Sequence, residues 1–354
     1  MRFRKLSIIS LIVLLIAISL TGCVKPSYRL IGGLSDDHDL IVLATDAPDN
    51  ISIYSVNKAR IEHTLPSDER LNSMAVDKAG KYAYVVTKNG WLNIFNLQRG
   101  DRKDRVRIGD LLQSIALSAD GKYLAVGVGK EEDYNAHDIS IRPTDNIQQE
   151  VIRLNLRGDI QDLVANPVVP ELYVINTNAD KIRVFNFNQM ELSGLITVGG
   201  SPSTFTVSPD GKKAFATLNA RNTISVIDLT TYSNLIRYDV PGAPHFVAFT
   251  KDGTTVAVSD REENMVYFID NVNDKFLGYK QFPSEIAGGN IKPEILAFSE
   301  NGKYLYVISN AIRDLLVIDI RTMHMVQNHS LPKRPKEMCV IWGAESSGSN
   351  SKPA

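Results

Sequence analysis

The chain restarts. Pro202-Ser203, Pro244-His245 and Pro293-Glu294 each open the same succession of an apolar run, a glycine turn and an alternating run. The turn glycines or their equivalents fall at His38, Gly80, Gly121, Val169, Gly211, Gly253 and Gly302, at steps of 42, 41, 48, 42, 42 and 49 residues. A period averaging 44 residues points to a propeller or a solenoid before any other architecture. One such unit cannot bury its own apolar faces, so the units must stack on one another.

Each unit has the same internal grammar. An apolar strand, such as residues 246–249, runs into a turn that is often Asp-Gly or Asn-Gly. Those pairs suit a tight hairpin whose two central positions both take positive φ. An alternating strand follows, as at residues 303–308, then a polar loop and a third strand ending at Asn96, Asn186, Asp228, Asp270 or Asp319. Such an Asp or Asn caps the turn into a more polar fourth strand, for example residues 235–240. Four short antiparallel strands per repeat make a propeller blade, and no helical periodicity competes with that reading. The expected fold is therefore all-β, a seven-bladed β-propeller over residues 30–343, followed by a tail at 344–354. Residues 39–45 align with a second strand, so residues 337–342 are expected to supply the missing innermost strand and close the ring. Cys339 and Trp342 then read as packing within the closure.

The segments FATLNARNTISVIDLTT, YVINTNADKIRVFN and YVISNAIRDLLVIDIRT resemble YVTN-type β-propeller repeats, across residues 30–342. Asp37-His38, the long loop after Gly127 and Val168-Val169-Pro170 depart from the pattern. The resemblance implies a propeller and says little of activity, since its members include enzymes, cofactor binders and surface proteins.

The opening, MRFRKLSIISLIVLLIAISLTGC, joins a basic leader (Arg2, Arg4, Lys5) to an apolar run shorter than a comfortable bilayer span. Leu20-Thr21-Gly22-Cys23 resembles the bacterial lipobox. That resemblance implies a signal peptide over residues 1–22, acylation of Cys23 and a short linker to residue 29. Val24 is not the aspartate that retains enteric lipoproteins in the inner membrane, so the resemblance favours an outer-membrane anchor in a host that has an outer membrane. Cleavage would lower the 39 Lys+Arg to 36 against 40 Asp+Glu, an acidic balance that argues against a nucleic-acid partner. With Cys23 acylated, Cys339 has no disulfide partner.

Counting eight residues back from each turn gives Asn72, Gln113, Gln161, Ser203, His245 and Glu294, with Lys336 in seventh place before the closure. All are polar, and the residues following them read as mostly apolar. In a propeller these positions circle one mouth of the central channel. The loops joining second to third strands reach the same face with Lys88, Lys181, Arg221, Arg261 and Arg313. This set is a candidate site for a polar or anionic small molecule, and His245 beside Glu294 is the candidate for acid–base chemistry. Glu131, Glu132, Asp133, His137 and Asp138 offer oxygen-rich ligands for a hard cation, without a recognised loop spacing. Gly-x-Ser-x-Gly, His-Glu-x-x-His and Cys-x-x-Cys-His are all absent. The leading expectation is a membrane-anchored envelope lipoprotein whose propeller binds a protein or a small ligand. The alternatives are a lactonase-like hydrolase, or a propeller handling d1-type heme with His245 as the axial candidate.

Overall fold

The computed structural model describes residues 39–341, apart from 46–50, 57, 66, 68, 130–135, 159, 177–179, 283–290 and 323. The leader, Cys23, His38, Trp342, the tail and the acidic trio Glu131, Glu132 and Asp133 lie outside the described residues.

Among the described residues, twenty-eight strands form seven four-stranded antiparallel sheets, the blades of a propeller. Among the described residues the helical content is one 3-10 turn, Asn219–Arg221. The inner strands of blades two to seven are Leu71–Val76, Leu111–Leu117, Ile160–Ala165, Thr204–Val207, Pro244–Phe249 and Pro293–Phe298. Blade one takes its inner strand from the far end of the chain. Pro335–Ile341 pairs with Leu40–Thr45, setting Val42 opposite Cys339 and Ala44 opposite Glu337. The closure expected at 337–342 is therefore made, with its start two residues earlier. The Cys339 thiol is free, and burial pushes it up to about 11.

There is no single core. Each apolar cluster lies between two neighbouring blades, giving seven seams around the ring. Strand alternation explains this. Leu40, Val42 and Ala44 face blade two, whereas Ile41 and Leu43 face blade seven. A fully buried aliphatic side chain contributes about 1.5–3 kcal/mol, so every seam sums many such terms and its loss cannot be local. The outermost strands, such as Asp101–Arg107 and Lys275–Gln281, are largely exposed, which explains their charge.

The blade turns differ from the expected two-residue type. Only the glycine is left-handed (Gly80, Gly121, Gly211, Gly253 and Gly302 have φ between +62° and +72°), and the residue before it is not. Each glycine N–H donates to the carbonyl three residues back, as Gly121 does to Ser118 at 2.8 Å. These are type I turns closed by a left-handed glycine. A side-chain bridge fixes them: Ser118 to Asp120, Ser208 to Asp210, Thr250 to Asp252 and Ser299 to Asn301, at 2.6–2.9 Å. In blade four Asn166 Oδ1 accepts from the Val168 and Val169 N–H groups and does the work of the missing Asp-Gly. The third-strand caps form as expected, with Asp228 Oδ1 accepting from the Thr230 and Thr231 N–H groups.

A pair of substitutions separates backbone strain from contact. A Cβ on Gly121 meets nothing within 4 Å, so Gly121→Ala should cost only the left-handed penalty of about 1–2 kcal/mol. A Cβ on Gly211 would lie 2.5 Å from Asn166 Oδ1, so Gly211→Ala should destabilise more, measured by urea unfolding. Equal losses would contradict this account of the turns.

Candidate functional site at the channel mouth

Six of the seven inner strands break register where they meet the mouth. The ladder slips between Leu71 and Ser73, Leu112 and Ile115, Ile160 and Asp162, Pro244 and Val247, and Pro293 and Ile295. The residues left out include Asn72, Gln113, Gln161, His245 and Glu294. Lys336 is skipped in the same way between Pro335 and Glu337. Ser203 sits just before Thr204–Val207 and donates its N–H to Thr217 O at 2.7 Å. A bulge releases a residue from the ladder and re-aims its side chain. All seven positions thereby line one cavity of about 730 Å³ at the centre of the ring.

The seven are not equivalent. Asn72 Nδ2 donates to Leu112 O and Gln113 O at 2.7 and 3.1 Å, and Gln161 Nε2 donates to Ser203 O at 2.9 Å. These two stitch adjacent blades. Glu294 accepts from Asn310 Nδ2 at 2.5 Å, and the same amide reaches Pro335 O at 3.1 Å. His245 differs. Its carbonyl accepts from Thr217 Oγ1, and its ring stands in the cavity wall. Burial, then the positive charge of Arg261, holds this imidazole below the usual histidine range, while Glu294 pulls the other way. A neutral imidazole in a cavity wall is suited to ligating a metal. No hydrogen bond joins His245 to Glu294 among the described residues, and Glu294 bears on the ring through its charge.

Lys88, Lys181, Arg221, Arg261 and Arg313 are exposed and do not line the cavity. Arg261 is close enough to bear on His245, and Arg221 packs against Gly200, three residues before Ser203. They form an outer set at the rim. His137 and Asp138 are buried; His137 Nδ1 lies 3.2 Å from Gly158 O, and Asp138 bonds Asn155 and Arg153. Among the described residues no three His, Cys, Asp or Glu side chains converge on a metal position.

The residues following the seven read as mostly apolar, but five of those directly after them are polar (Ser73, Ser114, Asp162, Thr204 and Glu337). Ser73, Ser114, Asp162 and Glu337 line the cavity beneath the mouth, opposite Phe246 and Ile295. Ser114 Oγ donates to Asp162 Oδ1 at 2.7 Å, and the Met74 N–H donates to Glu337 Oε2 at 2.6 Å. Asn310 also belongs to the wall. Reading one position further at each slot would have found the four throat residues; Asn310, on a loop, had no periodic signal.

The sequence profile of the cytochrome D1 heme domain matches residues 35–251, a span that includes His245. No curated protein matches the chain in sequence. Among solved structures, a functionally unknown protein from Desulfotomaculum acetoxidans is similar at 15% identity and a TM-score of 0.71, over 86% of this chain and 99% of that one. Dihydro-heme d1 dehydrogenase NirN, in complex with DHE, is similar at 16% identity and 0.65, over 85% of this chain and 65% of that one. Hydrazine synthase from Kuenenia stuttgartiensis is similar at 17% identity and 0.61, over 73% and 86%. At such identities the structural likeness is one of fold. The profile, in contrast, spans five complete blades but for the closure strand, and the inner strand of a sixth. The chain belongs to the cytochrome D1 heme domain family.

Proposed function

We propose that this propeller holds a d1-type or related iron tetrapyrrole at the mouth of its channel, with His245 as the protein ligand to iron. The observation that carries the reading is a neutral His245 in the wall of a wide polar cavity. The family profile supports it. The donor set fits such a ring. His245 offers a neutral ring nitrogen, Phe246 and Ile295 offer an apolar side, and Lys336 with the rim arginines Arg221, Arg261 and Arg313 offers positive charge for the carboxylates of such a ring. A heme bound there would supply an iron centre for ligand binding or electron transfer. Asn72 and Gln161, already committed to neighbouring blades, hold the rim rigid instead of reaching for the ligand.

The same proposal keeps the chain at a membrane. Its leader and Leu20-Thr21-Gly22-Cys23 support export and acylation at Cys23, with the outer membrane favoured by Val24. The 44-residue period and the third-strand motifs support counting the repeats among the YVTN type. A flat, polar mouth on a lipid anchor also suits presentation to another envelope protein, as donor or receiver of the tetrapyrrole.

Titration with hemin should move the Soret band to that of histidine-ligated iron, and His245→Ala should weaken binding at least tenfold with Tm unchanged. No Soret shift, or equal binding by the variant, defeats the reading. Cys23→Ser should release the chain from the membrane fraction; retention there would remove the anchor.

A further inference from the structure

The two ends of the ring are unlike. At the end away from the mouth, the strands of blade two border a recess of about 440 Å³, where Tyr82 pairs with Asn96 and Asn96 with Asp101. Lys81, Arg99, Arg102 and Lys103 line it, with Asp101 as its one carboxylate. The Nζ atoms of Lys81 and Lys103 both lie over the Tyr82 ring, 4.9 and 4.7 Å from its centroid. Among the described residues none of Lys81, Arg99 and Lys103 is in an ion pair. Cations on and beside this end of the ring are engaged elsewhere: Lys58 and Arg60 with Glu62, Lys122 with Asp120, and Lys78 Nζ with Pro167 O. Positive charges gathered on one tyrosine ring, in a chain of acidic balance, suit an anion that brings them together.

The recess also adjoins the point where the chain enters the ring. Leu40 pairs with Ile341 at the start of blade one, and a Cβ on Gly80, next to Lys81, would lie 2.6 Å from Ile341 Cγ2. The described chain begins at Asp39, with residues 24–38 between it and Cys23. An anchor on Cys23 therefore attaches at this end of the ring, and the mouth lies at the other. We propose that the recess seats the phosphate headgroup of an anionic phospholipid, so that the turns of blades one and two rest on the bilayer and the mouth faces away from it. The inference rests on the membrane anchor proposed above and is independent of the tetrapyrrole. The guanidinium groups of Arg99 and Arg102 match phosphate oxygens, and the lysines add charge. Tyr82, half-buried, sets an apolar ring with a polar tip at headgroup level. Each cation held at an anionic surface strengthens docking about fivefold, and salt weakens it.

Amine-reactive footprinting of the whole acylated protein, read by mass spectrometry, tests this on two vesicles. One is phosphatidylcholine alone, and the other holds an equal share of phosphatidylglycerol. On the anionic vesicle Lys81 and Lys103 should react at least about fivefold more slowly, while Lys88 and Lys181, at the mouth end, should not change. Molar salt should remove the difference. Arg99→Glu, in an exposed turn, should return both rates to those on the neutral vesicle. Protein held by both vesicles with equal rates at Lys81 and Lys103 overturns the docking and leaves the anchor standing. Protein held by neither removes the anchor and the docking with it. Slowing at Lys88 instead, or protection that survives Arg99→Glu, also overturns the proposal. So does equal protection by inorganic phosphate without vesicles, which would mark a site for the free anion.

Discussion

Six backbone pairs between Pro335–Ile341 and Leu40–Thr45 hold the ring together. Leu40–Thr45 is buried along its whole length, and it packs on blade two with one face and on blade seven with the other. Both seams need blade one to be a complete sheet. Without the closure strand the inner edge of Leu40–Thr45 would stand open in the channel, with unpaired N–H and C=O groups where every other blade presents a finished strand. Hydrogen bonds across the junction reinforce it, with Tyr306 of blade seven donating to Asp39 at the start of blade one. The same strand carries Lys336 and Glu337, so closing the fold and completing the mouth are one event.

Around that frame the mouth is built by repetition of a defect. A regular ladder would pair each mouth residue with its neighbour strand and leave its direction to the pleat. The recurring bulge gives up one pairing per blade and, in return, turns a chosen side chain toward the axis. Six copies of this backbone device, with Ser203 at the start of the one unshifted inner strand, bring seven polar side chains to one cavity, so chemistry can vary from blade to blade while the frame stays fixed. Two of those side chains lock neighbouring blades together, and His245 stands as a neutral ring in the wall. The unequal bonding gives the cavity a rigid part and a reactive part.

Much of this was legible in the sequence, for physical reasons. Turn glycines must take a left-handed backbone, so they recur visibly, and the seam residues must alternate, so the strands read themselves out. The order of the ends was legible too, because residues 39–45 match a second strand and not a first. The slots at Asn72 through Lys336 were found by counting from the turns, and the cavity gathers all seven. The bulges were not legible, since a residue left out of a ladder carries no propensity of its own. That is why the polar throat at Ser73, Ser114, Asp162 and Glu337 was passed over. Blade four hid its turn because a side chain, Asn166, replaced a backbone glycine. The five loop cations expected at the mouth are exposed and do not line the cavity, since loop length says nothing of how far a long side chain leans.

The claim on which the rest depends is that the carboxy-terminal strand fastens a closed ring. A chain ending at Leu331, followed by circular dichroism on heating, tests it most directly. The account predicts that the cooperative transition is lost or falls by more than about 10 °C, because two seams and six strand pairs go together. A transition as sharp and as high as that of the whole chain would contradict it.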